Sequence, residues 1–339
     1  MKLLEPTLIN NIALKNRVVM EPMCMYSAHD NNGIPTYFHQ AHYGSRAIGQ
    51  VGTIIVEATG VVPEGRITDD CLGLWNREQM EAFKPIVDTV HTEGSTIFIQ
   101  LNHAGRKSTC VVGVDTIYGP SPLAFNDEYR VPVALSENGI SDVVAAFKNS
   151  ALLAMEAGFD GIELHGAHGY LISEFMSPIS NIRDDAYHDG SQLIREIATA
   201  VREVMPSDKI LGIRVSATDY EDNGLNTEKT IQILKDSTIS FDYINVSTGG
   251  ITPTPPHAIY PGYQVPHAME IKGAFPQTPV MACGLLGDIG LASYLLETDC
   301  VDFIGLARPL LDDPHWVLHA AQARRKHQLI TKQYTRAFK

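Results

Sequence analysis

The chain has 339 residues, a length that suits either two domains or a single α/β barrel that uses all of it. With 26 basic and 39 acidic side chains its formal charge is −13, which repels phosphate backbones and anionic lipid and sets aside general nucleic-acid or membrane-surface binding. Hydrophobic residues at 44% and charged residues at 19% are ordinary globular usage, so a folded, soluble protein is expected.

In chain order, short apolar runs alternate with longer amphipathic segments. Strands are predicted at 17–23, 53–56, 96–100, 161–164, 210–215, 243–246, 279–282 and 303–306. Helices are predicted between and after them at 38–47, 77–91, 141–157, 192–204, 227–235, 265–274, 288–296 and 315–325. Eight strand–helix units in strict alternation imply parallel strands and predict a (β/α)8 TIM barrel, one domain over 1–339. A doubly wound sheet would announce itself with G-x-G-x-x-G after the first strand, and Pro22-Met23-Cys24-Met25-Tyr26 is unlike that. The longest stretch without periodicity, at 104–138, reads as a lid-like insertion after strand three, and 327–339 reads as a tail.

The five cysteines (Cys24, Cys71, Cys110, Cys283 and Cys300) are odd in number and contain no C-x-x-C pair. A disulfide framework, a structural zinc site and an iron–sulfur cluster are therefore not expected. The start of the chain lacks the apolar stretch of a signal peptide, and no run approaches a membrane span, so a cytoplasmic address is expected.

In a barrel, chemistry gathers at the carboxyl ends of the strands. Those ends carry Cys24 and Tyr26, Ala58, Gln100 with His103 and Lys107, then His165 and His168 with Tyr170, and Arg214. His165 and His168, three apart, can converge as two N–H donors to one oxygen or as two metal ligands. A metal reading needs a third ligand, and strand one offers no histidine. Cys24 reads as a small buried residue, or as a thiolate nucleophile paired with His165. His39 and His42 share the spacing but fall in a helix and read as structural. Gly284 after strand seven, with Ala307 and Arg308 after strand eight, supplies small residues and an arginine where a barrel binds phosphate.

Several stretches together resemble the Old Yellow Enzyme family of flavin-dependent ene reductases. They are Leu14-Lys15-Asn16-Arg17, Pro22-Met23-Cys24-Met25-Tyr26-Ser27, His39-x-x-His42-Tyr43, Gln100-Leu101-Asn102-His103-Ala104-Gly105-Arg106-Lys107, His165-Gly166-Ala167-His168-Gly169-Tyr170-Leu171 and Arg214-Val215-Ser216. The likeness covers nearly the whole chain. It is narrower to the bacterial NADPH dehydrogenase branch, with its cysteine after strand one and a C-terminal arginine that reaches into a neighbouring subunit, which Arg336 matches.

The resemblance implies non-covalent FMN, with NADPH as co-substrate. It implies Pro22, Met23, Cys24, Ala58, Gln100 and Arg214 around the flavin ring, and Gly284, Ala307 and Arg308 on the phosphate. It also implies His165 and His168 on the oxygen of an enone, enal, nitro or quinone substrate, Tyr170 as proton donor, and Tyr26, Lys107 and a partner's Arg336 at the entrance of a homodimer or homotetramer. Cys24 becomes a tuner of the flavin, and the other four cysteines carry no expected role. A metal-dependent hydrolase and a non-catalytic flavin-binding protein are the alternatives. One departure is that 187–193 is shorter than the family's Tyr-Gly-Gly-Ser stretch and lacks its Asn-Arg pair, which leaves the start of the following helix in question.

Overall fold

Residues 1–338 are described by a computed structural model; Lys339, the end of the expected tail, lies outside them. Eight strands form the barrel: β1 (Val18–Met20), β2 (Thr53–Gly60), β3 (Thr96–Asn102), β4 (Gly161–Gly166), β5 (Ile210–Ser216), β6 (Tyr243–Ser247), β7 (Val280–Ala282) and β8 (Phe303–Leu306). They close as β6-β7-β8-β1-β2-β3-β4-β5 with every neighbour parallel, as the strand count implied. The helices are α1 (Tyr37–Ile48), α2 (Arg77–Thr92), α3 (Glu137–Ala157), α4 (Leu171–Met176), α5 (Ser191–Arg202), α6 (Thr227–Asp236), α7 (Val265–Ala274), α8 (Ile289–Glu297), α9 (Arg308–Asp312) and α10 (Trp316–Ala323). Among the described residues no helix is long and apolar enough to cross a membrane.

The differences from expectation have local causes. β1 stops at Met20 because Pro22 has no N–H for the ladder and biases the residue before it. α3 begins four residues early, at Glu137, because the Ser136 hydroxyl accepts the Gly139 N–H and caps it. α10 ends at Ala323, short of Arg325, which takes a left-handed φ of 56°. α5 starts at Ser191 after Gly190 (φ 77°), so the altered 187–193 stretch still opens a helix, and Arg195 ties it to the Ser237 carbonyl. The short helices α4 and α9 went unpredicted.

Inside the barrel, Val19, Ile55, Phe98, Ile210, Tyr243, Met281 and Phe303 form one apolar layer. Gly212 has no side chain because a Cβ there would collide with the Tyr243 ring. A hairpin that the sequence reading missed, Thr7–Ile9 with Ile12–Leu14, packs Ile9 and Leu14 under this layer and plugs the barrel's amino end. Its turn, Asn10-Asn11, has positive φ at both residues, as a two-residue hairpin of this twist requires. With the floor plugged, the carboxyl ends of the strands form the open mouth of the barrel.

The 104–138 segment is organised in the structure. Cys110, Val114 and Ile117 make a small core, and Arg130 stitches it through the Cys110 and Val114 carbonyls at 2.6 and 3.2 Å.

Candidate active site

Parallel register assembles the mouth. Gln100 pairs beside Glu163, His165 beside Arg214, and Arg214 beside Asn245, so side chains far apart in sequence share one ring of the barrel. Above this ring, at the end of β4, the rings of His165 and His168 lie 5.2 Å apart at 88°, and His165 meets Tyr170 at 4.9 Å. His168 (φ 60°) and Gly169 (φ 71°) form a tight left-handed turn, and a Cβ on Gly169 would strike the Gly250 carbonyl.

The Lys107 ammonium clamps that turn, donating to the His168 and Gly250 carbonyls at 2.8 and 3.0 Å, with the Phe125 ring 4.5 Å away. It is thus directed inward rather than left free at the entrance, and its burial pulls its pKa down to about 8.

Both imidazoles are held well below the ordinary histidine range by burial, with Arg214 and Lys107 adding to it. They are therefore neutral donors or acceptors. His165 Nδ1 accepts the Ala167 N–H at 3.4 Å, which leaves its proton on Nε2. His168 Nε2 lies 2.7 Å from the Ser247 hydroxyl. Ser247 accepts from Gln264 Nε2 at 3.4 Å and has one proton of its own; with that proton given to His168 Nε2, the single N–H of the neutral ring sits on Nδ1. Burial also raises the Tyr170 phenol, which keeps its proton.

The first loop is shaped by buried Glu57, which accepts the Met25 N–H at 2.8 Å. Pro22, Met23 and Cys24 line its half-buried inner part, and Tyr26 (φ 50°) is 55% exposed at its tip. Ala58 sits beside this loop at an irregularity in the β2–β3 ladder between Val56 and Thr59, a device that re-aims residues at barrel rims. The Cys24 and Cys71 thiols neighbour one another; their interaction pulls Cys71 down to about 7 and, with burial, pushes Cys24 up. Cys71 thus sits beside Cys24 at this loop, a proximity the sequence did not single out. No spacing signal in the sequence could have revealed it, because the two thiols come from different loops.

Gly284, Ala307 and Arg308 do come together, on a cavity of about 170 Å³ that also meets Arg214, Ser247, Gln264 and Cys283. Gly284 takes φ 100°, where a Cβ would also press on Gln264 Oε1 at 2.9 Å. Arg308 is exposed at its rim and, among the described residues, has no hydrogen-bond or ion-pair partner. The buried Arg214 Nε also has no partner. Unpaired guanidinium donors beside glycine-lined backbone, in an anionic protein, fit a phosphorylated, electron-accepting group such as FMN. Ser247, Gln264 and Cys283 were not singled out from the sequence.

Arg336 is exposed on the tail, which packs its Tyr334 on His315 and Phe338 on His319, and makes no hydrogen bond or ion pair among the described residues. His39 and His42 stay out of the cluster, and His39 Nδ1 caps α1 through the Thr36 N–H. Among the described residues no three His, Cys, Asp or Glu side chains converge as metal ligands, so the hydrolase alternative lacks a donor set.

Such a mouth defines a barrel whose lining fits a phosphorylated cofactor beside a pair of neutral imidazoles. The chain matches the NADH:flavin oxidoreductase / NADH oxidase family over residues 2–327 and belongs to it, in keeping with the Old Yellow Enzyme resemblance. It is 43% identical to an NADPH dehydrogenase of Clostridium acetobutylicum, with 100% of both chains covered. It is 44% identical to that of Bacillus subtilis strain 168, over 95% of this chain and 94% of the relative. Among solved structures, morphinone reductase superposes with a TM-score of 0.79 at 25% identity, covering 95% of this chain and 89% of that one. The protein is an FMN-dependent NAD(P)H oxidoreductase with NADPH as co-substrate.

Proposed function

We propose that the chain is an ene reductase, moving a hydride from NADPH to the activated C=C bond of an α,β-unsaturated carbonyl, nitroalkene or quinone in two separate half-reactions. Bound FMN supplies the hydride relay between them. The reading is carried by the two neutral imidazoles at the end of β4, with Tyr170 packed against them. An enone oxygen gains negative charge as hydride reaches the β-carbon, and fixed N–H donors stabilise that charge without reorganising. His165 Nε2 and His168 Nδ1 are the two donors, and the Tyr170 hydroxyl gives its proton to the α-carbon.

Gln100 and Arg214 hold the N1/O2 edge of the flavin, where a positive guanidinium favours the reduced, anionic ring. Pro22, Met23, Cys24 and Ala58 flank the ring, and Gly284, Ala307 and Arg308 hold the phosphate. The shared cavity supports this assignment. Tyr26 forms the entrance, and Lys107 shapes it from within by clamping the His168–Gly169 turn. The 104–138 segment serves as the lid, and Phe125 over Lys107 supports that reading. Arg336 completes the site of a second copy in a homodimer or homotetramer, in keeping with its having no hydrogen-bond or ion-pair partner among the described residues.

The test is spectroscopic. Purified protein is yellow, NADPH bleaches it without oxygen, and cyclohexenone restores the colour. His165→Ala and His168→Ala each keep FMN but slow the restoring step by about 100-fold, or ~3 kcal/mol, as loss of an oxyanion-type donor does. Wild-type recovery of colour in both variants removes the reading.

A further inference from the structure

Beneath the mouth, two carboxylates and one guanidinium are buried together. Glu21, just after β1, and Glu163 in β4 are fully buried, and Arg214 of β5 is nearly so. Arg214 Nη2 lies 2.9 Å from Glu21 Oε2. Glu163 instead accepts three neutral donors: Gln100 Nε2 of β3 at 2.8 Å on Oε1, and the Tyr243 hydroxyl and Asn245 Nδ2 of β6, both at 3.0 Å, on Oε2. The same Asn245 nitrogen reaches Glu21 Oε2 at 3.0 Å, so one amide bridges the two carboxylates. Among the described residues no cation lies within ion-pair distance of Glu163. The titratable and charged groups that face it are Glu21, Arg214 and Tyr243.

With both carboxylates ionised, one guanidinium leaves an uncompensated negative charge in a dry interior, a costly state. A second observation points the same way. Glu21 Oε1 and Asn245 Oδ1 are buried acceptors with no donor, so the network is short of hydrogen atoms. The Tyr243 hydroxyl can reverse its role and accept from a protonated Glu163.

We propose that Glu163 is a positioning residue that stores a proton for the reduced cofactor, taking one H⁺ from solvent when hydride transfer adds negative charge above Arg214, while its bond to Gln100 Nε2 fixes that amide under the ring. Atoms and charge balance: the carboxylate gains one proton per two electrons accepted and returns it to solvent on reoxidation. Burial and Glu21 push Glu163 up to about 7 while Arg214 draws it down, which puts the exchange in the working range. The proposal rests on the placement of Gln100 and Arg214 at the flavin edge.

The experiment is a spectroelectrochemical titration of FMN-loaded wild type and Glu163→Gln from pH 6 to 9. Above the oxidised-state pKa, one additional proton per two electrons steepens the wild-type potential by about 30 mV per pH unit relative to Glu163→Gln. Equal slopes overturn the proposal. If the variant does not fold or load FMN, the reduced-minus-oxidised infrared difference spectrum of wild type at pH 8 decides. A new protonated-carboxyl C=O band supports the proposal, and its absence overturns it. Gln100→Ala separates the two readings: an unchanged potential there refutes the flavin-edge placement, whereas a shifted potential with equal Glu163 slopes refutes only proton storage.

Discussion

Replacing Ser247 by alanine tests the donor assignment at its weakest link. The Ser247 hydroxyl accepts from Gln264 Nε2 at 3.4 Å and has one proton to give, which the donor assignment places on the 2.7 Å bond to His168 Nε2. This bond fixes the tautomer that puts N–H on Nδ1. A buried neutral hydrogen bond contributes about 1 kcal/mol net, and 1.36 kcal/mol is tenfold in rate. Ser247→Ala therefore lowers the population of the productive tautomer, and with it the rate at which cyclohexenone reoxidises reduced holoenzyme, by about fivefold. The effect is far smaller than removal of the imidazole itself. The assay is anaerobic stopped-flow with FMN at saturation, because Ser247 also lines the cavity and its loss can loosen the cofactor. Ser247→Thr restores the hydroxyl and most of the rate. A wild-type rate in Ser247→Ala, or a Ser247→Thr as slow as the alanine variant, refutes the tautomer argument.

Tyr170→Phe slows protonation of the product carbon but leaves bleaching by NADPH intact, and stopped-flow traces of the two half-reactions that show the reverse pattern count against it. Removing the residues from 335 onward weakens cyclohexenone binding, seen as a raised KM, while FMN stays bound; full activity in the truncated protein rejects the shared site. Glu174 is fully buried, with its Oε2 unpartnered, and burial raises its pKa to about 8 against the pull of Arg106 and Lys107. The folded state therefore holds a proton that the unfolded chain releases near pH 4.5, and this stabilisation is lost progressively as pH rises from about 4.5 and is gone above about 8. Thermal melting of Glu174→Gln declines less than wild type between pH 5 and 8, and parallel declines contradict the assignment.

How much of the site was legible follows from where each contact is made. Pro22, Cys24, Gln100, His165, His168, Tyr170 and Arg214 are legible because each follows or ends an apolar run, and in a barrel that position is the mouth. Ser247 also ends a strand, yet a serine there is unremarkable until His168 is found 2.7 Å away from another strand. The family resemblance put Lys107 at the entrance, but its direction depends on two carbonyls at 168 and 250 that no local pattern relates.

By itself the sequence determined the period of the elements, hence eight parallel strands, one barrel and the identity of its mouth. Hydrophobic alternation is local, and a strand–helix repeat admits few closures. Only the tertiary structure decided the rest: the hairpin that plugs the floor, the thiol pair of Cys24 and Cys71, the inward turn of Lys107, and the joining of Glu21 and Glu163 through one Asn245 amide. These depend on register between strands and on which buried donor meets which acceptor. Such pairings join residues up to 224 positions apart and leave no periodic trace in the chain.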